Sequence, residues 1–564
     1  MSTASAQSVL PRPGLVTPRV GSQRQSLANF AVFTRFTLRR NWVRFLVWFL
    51  IIVGMLAFIF DYYKTLFVDP AALQDFVDTV HSPSLLAMVG IITNPASIAG
   101  ATWCKYWMFG SLMLGIGVVF LMTRNLRADE DQGRAELMRS TPLGIHSRLA
   151  ASVVLMSALS LVIGVFSALV LQGMTADPAS VQSLTAVDSV GAAATGAWVF
   201  GLSIAAIGLL GVGIGAVVNE LAPSSGAANG IGIAVFGVFY ILRMGGDLNS
   251  NALTWVSPMG WAEKMDPYGA NRWWPFLLVI VLTVVLAGLA WLLQSGRDLD
   301  ASLLPQRGGK ATASGMIQQV WGLGLRLQRG SIIGWAIGLF IFVLMIGSVI
   351  QALMDLLKQA NLSGEMGAAT ASTDALVGVF VGMIALAISV FAAQSATTLR
   401  TDEAHGVLES QLAGGIGRIS WALQRLAITL VMTIVFLLFS GILLGASYGS
   451  LIDDMSKVGA TVAAFLVYLP ACLVVAALFV LGFGWWPRYT VMITWIVVGI
   501  LWAFMILGLA LPIPEAVLNA MPFNATPQIL SQDMKWTPVL ILTLVVVVLT
   551  LVGLLGFRRR NVPQ

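Results

Sequence analysis

Leu126-Arg127-Ala128-Asp129-Glu130-Asp131-Gln132-Gly133-Arg134-Ala135-Glu136 returns 273 residues later as Leu399-Arg400-Thr401-Asp402-Glu403-Ala404-His405-Gly406-Val407-Leu408-Glu409. Each copy follows an apolar run, 105–123 in one case and 376–398 in the other. Two further anchors extend the match. Arg39 with Trp48 pairs with Arg326 and Trp335, and Pro258 and Pro275 pair with Pro522 and Pro538. The offset shrinks in chain order, so the two halves are a tandem duplication whose first copy has longer loops.

Composition says what is duplicated. The chain has 564 residues, 57% hydrophobic and 10% charged, with a mean hydropathy of +0.86. A soluble domain carries roughly 25% charge, so a soluble enzyme, a disordered chain and a disulfide scaffold are excluded. Crossing the hydrocarbon core takes about 20 apolar residues. Twelve runs qualify: 42–61, 105–123, 149–172, 192–218, 223–242 and 275–294 in the first half, and 332–354, 376–398, 421–446, 459–484, 489–511 and 537–556 in the second. Backbone groups in lipid must be satisfied internally, and these runs do not alternate as barrel strands do. The expectation is an all-α polytopic membrane protein with twelve transmembrane helices in two tandem six-helix repeats. The boundaries are a disordered tail over 1–26, a first repeat over 27–298, a linker over 299–317 and a second repeat over 318–564. An even number of spans per half makes the repeats parallel, a transporter arrangement.

Arginine and lysine set the orientation. With the N-terminus inside, 24 of the 32 basic residues fall in inner segments. Both termini are therefore expected in the cytoplasm, and the net charge of +6 reflects topology, with no nucleic-acid partner. Residues 27–40 place aromatics such as Phe36 apart from Arg39 and Arg40. They read as an amphipathic helix on the inner membrane surface, or as the polar start of the first span.

The acidic motifs carry the clearest chemistry. Inner loops are usually positive, so Asp129, Glu130 and Glu136, and again Asp402, Glu403 and Glu409, need a reason. Glu130, Gly133 and Leu137 fall on one face at helical spacing. One reading is a short docking helix offered to a cytoplasmic partner. The other is a solvated extension of the span, with Arg127 and Arg400 pairing within it. Trp255, Pro258, Trp261, Trp273 and Trp274, with Pro522 in the second half, read as an aromatic belt anchoring the outer ends or as an outer gate for an apolar cargo.

Ionisable residues are scarce within the runs. Lys105, Glu220 and Arg243 lie near span ends, where they can snorkel. That leaves little for an ion relay and favours a hydrophobic or amphipathic cargo. Gly211-x-Gly213-x-Gly215, and Gly226 with Gly230, read as close helix packing. Gly308-Gly-Lys310-Ala311 fails the spacing of a phosphate loop, so any ATPase is another chain. Two cysteines and three histidines leave no metal centre and no catalytic site.

Taken together, Arg243 … Asp247 … Trp255 … Ser257-Pro258-Met259-Gly260-Trp261, Leu304-Pro305, Leu325-Arg326-Leu327-Gln328-Arg329 and the two acidic motifs resemble a family. The chain is similar to the fused permeases of ABC-2-type exporters, of the actinobacterial exporter-of-polyketide-antibiotics (tetronasin-resistance) kind, over nearly its whole length from residue 30. The resemblance implies a type V exporter-like fold in a bacterial cell membrane. It implies two copies of a separate ATPase subunit that carries ATP and Mg, while this chain binds no cofactor. Residues 126–138 and 399–411 would be coupling helices, with Arg127, Asp129, Glu130, Gly133 and Glu136, and Arg400, Asp402, Glu403, Gly406 and Glu409, meeting the ATPases. Residues 27–40 and 318–330 would be connector helices bearing Phe36, Arg39, Arg40, Arg326 and Arg329. The permease would expel antibiotics, polyketides or lipid-like compounds drawn from membrane lipid. Pro142 follows the first acidic helix as the family pattern asks, but Gly415 stands at the matching place in the second half. The rival is an ion-coupled carrier of the major facilitator class, which also has twelve spans. Its Asp-Arg-x-Gly-Arg turn is not matched by Arg124–Arg134.

Overall fold

The computed structural model describes residues 26–66, 76–77, 89–90, 97–175, 190–248, 252–296, 315, 319–359, 366–404, 406–507 and 521–561. The expected disordered tail 1–26, apart from residue 26, and the expected linker 299–317, apart from residue 315, lie outside the described residues. Every regular element among the described residues is helical. The chain divides into two compact units, Met1–Arg307 and Gly308–Gln564.

The first unit comprises α1 (Phe30–Leu66), α2 (Ile98–Asn125), α3 (Arg127–Asp131), α4 (Arg134–Arg139), α5 (Ser147–Thr175), α6 (Val190–Leu221), α7 (Ser225–Leu248), α8 (Leu253–Val256), α9 (Pro258–Glu263) and α10 (Trp274–Ser295). The second comprises α11 (Val320–Gln359), α12 (Met366–Ala404), α13 (Val407–Leu412), α14 (Arg418–Leu451), α15 (Ser456–Val467), α16 (Leu469–Trp485), α17 (Thr490–Leu507), α18 (Pro522–Ala525) and α19 (Trp536–Arg559). Among the described residues, eleven helical stretches are long and apolar enough to span a membrane. The run expected over 489–511 appears as α17, 18 residues long and shorter than those eleven. This is a polytopic membrane protein. Leu277, Val281, Val284 and Leu292 on α10 and Leu540, Leu544 and Leu551 on α19 are exposed, the inverse of a soluble surface and the face lipid requires.

Lipid gives no hydrophobic drive between helices, so packing rests on close backbone approach. α6 sits at the centre of its unit, with 89% of its apolar window buried. A Cβ at Gly201 would run into the Gly164 carbonyl oxygen, and one at Gly211 into that of Gly115. Gly213 faces Leu286, and Gly215 faces Met122, as close packing requires. Gly226 and Gly230 have nothing within 4 Å, so their expected packing role is corrected: these two positions of α7 meet no neighbour among the described residues. Between α16 and α19, Gly484 and Gly553 bring backbones together in the same way.

A surface helix separate from the first span is not seen. α1 runs unbroken for 37 residues. No Gly or Pro interrupts Arg39-Arg40-Asn41-Trp42, and extending a helix costs less than nucleating a second one. α11 is equally continuous across the residue 318–330 region from Val320. Span 459–484, by contrast, breaks at Tyr468. Pro470 stands at the start of α16, where it removes one backbone donor and crowds the preceding turn.

Candidate functional site: two acidic elbows

Each acidic motif folds as an elbow, in which a helix stops, a glycine turns left-handed and a short helix leaves in a new direction. Gly133 has φ 67° and precedes α4, and Gly406 has φ 71° and precedes α13. L-residues lose about 1–2 kcal/mol in that conformation, which glycine adopts freely. The expected single face of Glu130, Gly133 and Leu137 is therefore corrected. The chain changes direction at Gly133, leaving Glu130 buried and Leu137 73% exposed. A Cβ at Gly133 or Gly406 would meet nothing within 4 Å, so the penalty for alanine is conformational alone. We expect Gly133→Ala and Gly406→Ala each to destabilise by about 1–2 kcal/mol, read as a lowered midpoint in thermal unfolding. Unchanged midpoints would show that neither glycine is held left-handed.

The acids divide into two sets. Asp129 and Glu130 turn inward. Asp129 meets Arg40 at 2.9 Å and Arg134 at 2.7 Å. Glu130 meets Arg127 at 2.9 Å and Arg148, from the first turn of α5, at 3.6 Å. Arg127 also donates to the Pro223 carbonyl oxygen at 2.9 Å, and Arg148 to that of Leu126 at 2.8 Å. Asp131 accepts from the Ser225 backbone N–H at 2.7 Å, at the N-terminus of α7, where negative charge is favoured. The second elbow has the same plan. Glu403 meets Arg400 at 2.8 Å and Arg560 at 2.6 Å, and Asp402 meets Arg425 at 2.5 Å. Burial pulls the Arg560 guanidinium below its ordinary pKa, and Glu403 opposes that shift. It stays charged at neutral pH.

Glu136 and Glu409 face outward, both exposed, at the same position of the short helix. The residue before each, Ala135 or Leu408, is buried and pins the helix down. Of the connector set, Arg40 is drawn into the first elbow, while Phe36, Arg39, Arg326 and Arg329 remain exposed. Residues 26–29 are tied to the elbow's exit. Gly144 N–H donates to the Ala28 carbonyl oxygen and His146 N–H to that of Ser26, each at 3.0 Å, and Asn29 donates to the Pro142 carbonyl oxygen at 2.6 Å.

Sequence reasoning missed Arg148, Arg425, Arg560 and a pair of amide contacts. Asn41 donates to Asn125 Oδ1 at 2.9 Å. Gln328 approaches Thr398 Oγ1 at 3.5 Å and accepts from Ser395 at 2.8 Å. The signal was available, since the duplication offsets of 287 and 273 carry Asn41 onto Gln328 and Asn125 onto Thr398.

At the other end of the helices, Trp255 stacks on Trp274 with centroids 5.2 Å apart, and Trp261 donates to the Trp255 carbonyl oxygen at 2.7 Å. Trp273 is half exposed beside exposed Arg272. Pro258 opens α9 and Pro522 opens α18. Snorkelling of Glu220 and Arg243 is corrected, because both are buried. Arg243 instead lies 3.5 Å from Asp247 and 3.2 Å from Glu263. No local pattern indicated that Glu263, twenty residues on and beyond Pro258, completes that cluster. Among the described residues no group of three or more His, Cys, Asp or Glu side chains is arranged to hold a metal ion.

Residues 317–558 match the family model described as the C-terminal domain of the multidrug efflux system permease Rv1217c. The whole chain is similar to the multidrug efflux system permease protein Rv1217c of Mycobacterium tuberculosis, 32% identical over 535 residues, covering 94% of each chain. The chain belongs to the Rv1217c permease family. The alignment length places both elbows, the Arg243 cluster and most spans within the shared region. The family model covers the second elbow but begins after the first.

Proposed function

We propose that this chain is the membrane-spanning subunit of an ATP-driven ABC-2-type exporter. It moves amphipathic or hydrophobic compounds, drugs and polyketide- or lipid-like molecules among them, out of a bacterial cell. ATP and Mg are held by a separate cytoplasmic ATPase present in two copies, and this chain performs no chemistry itself. Both termini and both elbows face the cytoplasm. The observation that carries the reading is the pair of elbows. Each offers one exposed glutamate, Glu136 or Glu409, on a short helix fixed from behind by buried ion pairs. A rigid short helix with an outward carboxylate suits a cleft with basic groups, and two elbows suit two ATPase subunits. Membership in a permease family whose Mycobacterium tuberculosis relative is named for multidrug efflux supports the export direction.

Affinity purification of the tagged chain in mild detergent tests this. A second chain with vanadate-sensitive ATPase activity is expected in the eluate. A lone, folded and ATPase-free protein would overturn the reading. One observation favours a second reading: Asp247 and Glu263 are buried carboxylates of the sort an ion-coupled carrier uses. Efflux that survives ATP depletion while the proton gradient is held would support that carrier, and its collapse is the expected result.

A further inference from the structure

We infer that the second unit contains a binding pocket for an uncharged amphipathic molecule, and that it is a subsite for the exported cargo. The inference rests on the export reading above and adds where the cargo is held and by what chemistry. The pocket is a cavity of about 160 Å³ at the Tyr468 break between α15 and α16. That is about the size of a dry cavity that holds one benzene ring, so the pocket takes a ring or a short chain segment of a larger molecule.

Its walls state the chemistry. Val379, Phe504, Met505 and Phe523 supply apolar surface, and Tyr468, Asn524 and Gln528 supply neutral polar groups. Among the described residues, no charged side chain lines it. Tyr468 is buried and stacks on Phe523 with centroids 6.3 Å apart, and its side chain forms part of the cavity wall. A phenolic hydroxyl both donates and accepts, so a ligand oxygen or nitrogen in the cavity can pair with it. The described lining offers a charged ligand no counter-ion. An ester, ketone, amide or hydroxyl on an apolar frame finds both halves of what it needs.

Two glycines keep the cavity open. Gly378 and Gly382 lie one turn apart on α12. A Cβ at Gly382 would come 3.3 Å from the Tyr468 hydroxyl and 3.6 Å from Met505, and one at Gly378 would come 3.3 Å from Gln528 Oε1. A larger side chain at Gly382 enters the cavity, and one at Gly378 presses on Gln528 of its wall. The same helix carries Asp402 and Glu403 of the second elbow. Twenty residues separate Gly382 from Asp402, about 30 Å of continuous helix. Cargo occupancy and elbow position are thus two ends of one rigid element.

The test uses Nile red, a neutral dye with a carbonyl acceptor, and the full-length protein in phosphatidylcholine nanodiscs. Partition into lipid rises linearly, so a saturable component reports a site. We expect wild type to show one. Gly382→Leu should weaken it at least tenfold and Tyr468→Phe several-fold. Gly288→Leu, whose Cβ meets nothing within 4 Å on exposed α10, should leave it unchanged. If Gly382→Leu does not stay monodisperse, Tyr468→Phe carries the comparison. No saturable component, or equal saturation in wild type and both pocket variants, overturns the pocket. Dye efflux from cells that also express the co-purified ATPase separates cargo from resident lipid. Export by wild type and loss in the pocket variants supports a cargo subsite. Saturable binding with export unaffected by the variants overturns the cargo role. Saturable binding without export by wild type leaves a lipid-type site and counts against export of this chemistry.

Discussion

Arg243→Met is expected to destabilise the first unit by about 3–5 kcal/mol, a loss of roughly 10 °C in melting midpoint. Arg243 has no exposed side-chain surface, and Asp247 and Glu263 have 2% or less. Its guanidinium also stands 5.0 Å from the Tyr240 ring, and Thr254 donates to Asp247 at 2.9 Å. Gly90, at φ 100°, closes over the cluster so tightly that a Cβ there would sit 2.6 Å from Arg243 Nη1 and from Glu263 Oε1. Removing the cation takes away the guanidinium that two buried carboxylates share, and burial multiplies that penalty. The reporter is already in the protein. Cys104 is buried in the first unit and Cys472 in the second, so a thiol-reactive dye in a Cys472→Ala background reads unfolding of the first unit. The triple variant Arg243→Met, Asp247→Leu and Glu263→Met should recover most of the loss, because an apolar replacement of a buried ion cluster is close to neutral. An Arg243→Met midpoint within 2 °C of wild type would show that the cluster contributes nothing to stability.

The second large effect separates the two sets of acids. Glu136→Arg combined with Glu409→Arg should abolish ATP-driven efflux, by more than tenfold, and prevent co-purification of the ATPase, with the melting midpoint unchanged. Both residues are exposed and neither has an ion-pair partner within the described residues that the substitution would break. Charge reversal at a docking face costs several kcal/mol of association through like-charge contact. Glu130→Ala is expected to behave differently. It leaves Arg127 and Arg148, with side chains 3% and 6% exposed, deprived of their shared carboxylate, so folded protein falls before coupling can be read. Unchanged efflux and unchanged co-purification in the Glu136→Arg, Glu409→Arg protein would sink the docking role of both elbows.

The sorting of these acids marks the limit of the sequence reading. Apolar run length, charge scarcity and lipid's lack of hydrogen-bonding partners were enough to establish a polytopic helical protein. The duplicated motif was enough to locate both acidic segments, while the left-handed turn at each glycine replaced the continuous helical face expected there. Its acids could not be assigned by a 100° step per residue. Gly133 and Gly406 reset the direction of the chain, so Glu130 and Glu136, six residues apart, end on opposite sides of the turn.

Local sequence thus determined the membrane class and the approximate place of most spans, since each depends on neighbours along the chain; α1 and α11 begin twelve residues before the expected runs. Tertiary structure alone decided what meets across distance. It brought Arg40 to Asp129 and Arg560 to Glu403. It closed Asp247 and Glu263 around Arg243, and it left a cavity beside Tyr468. Burial of charge and the shape of empty space are properties of packed helices. Nothing in the order of residues along one helix specifies which side chain of another will face it.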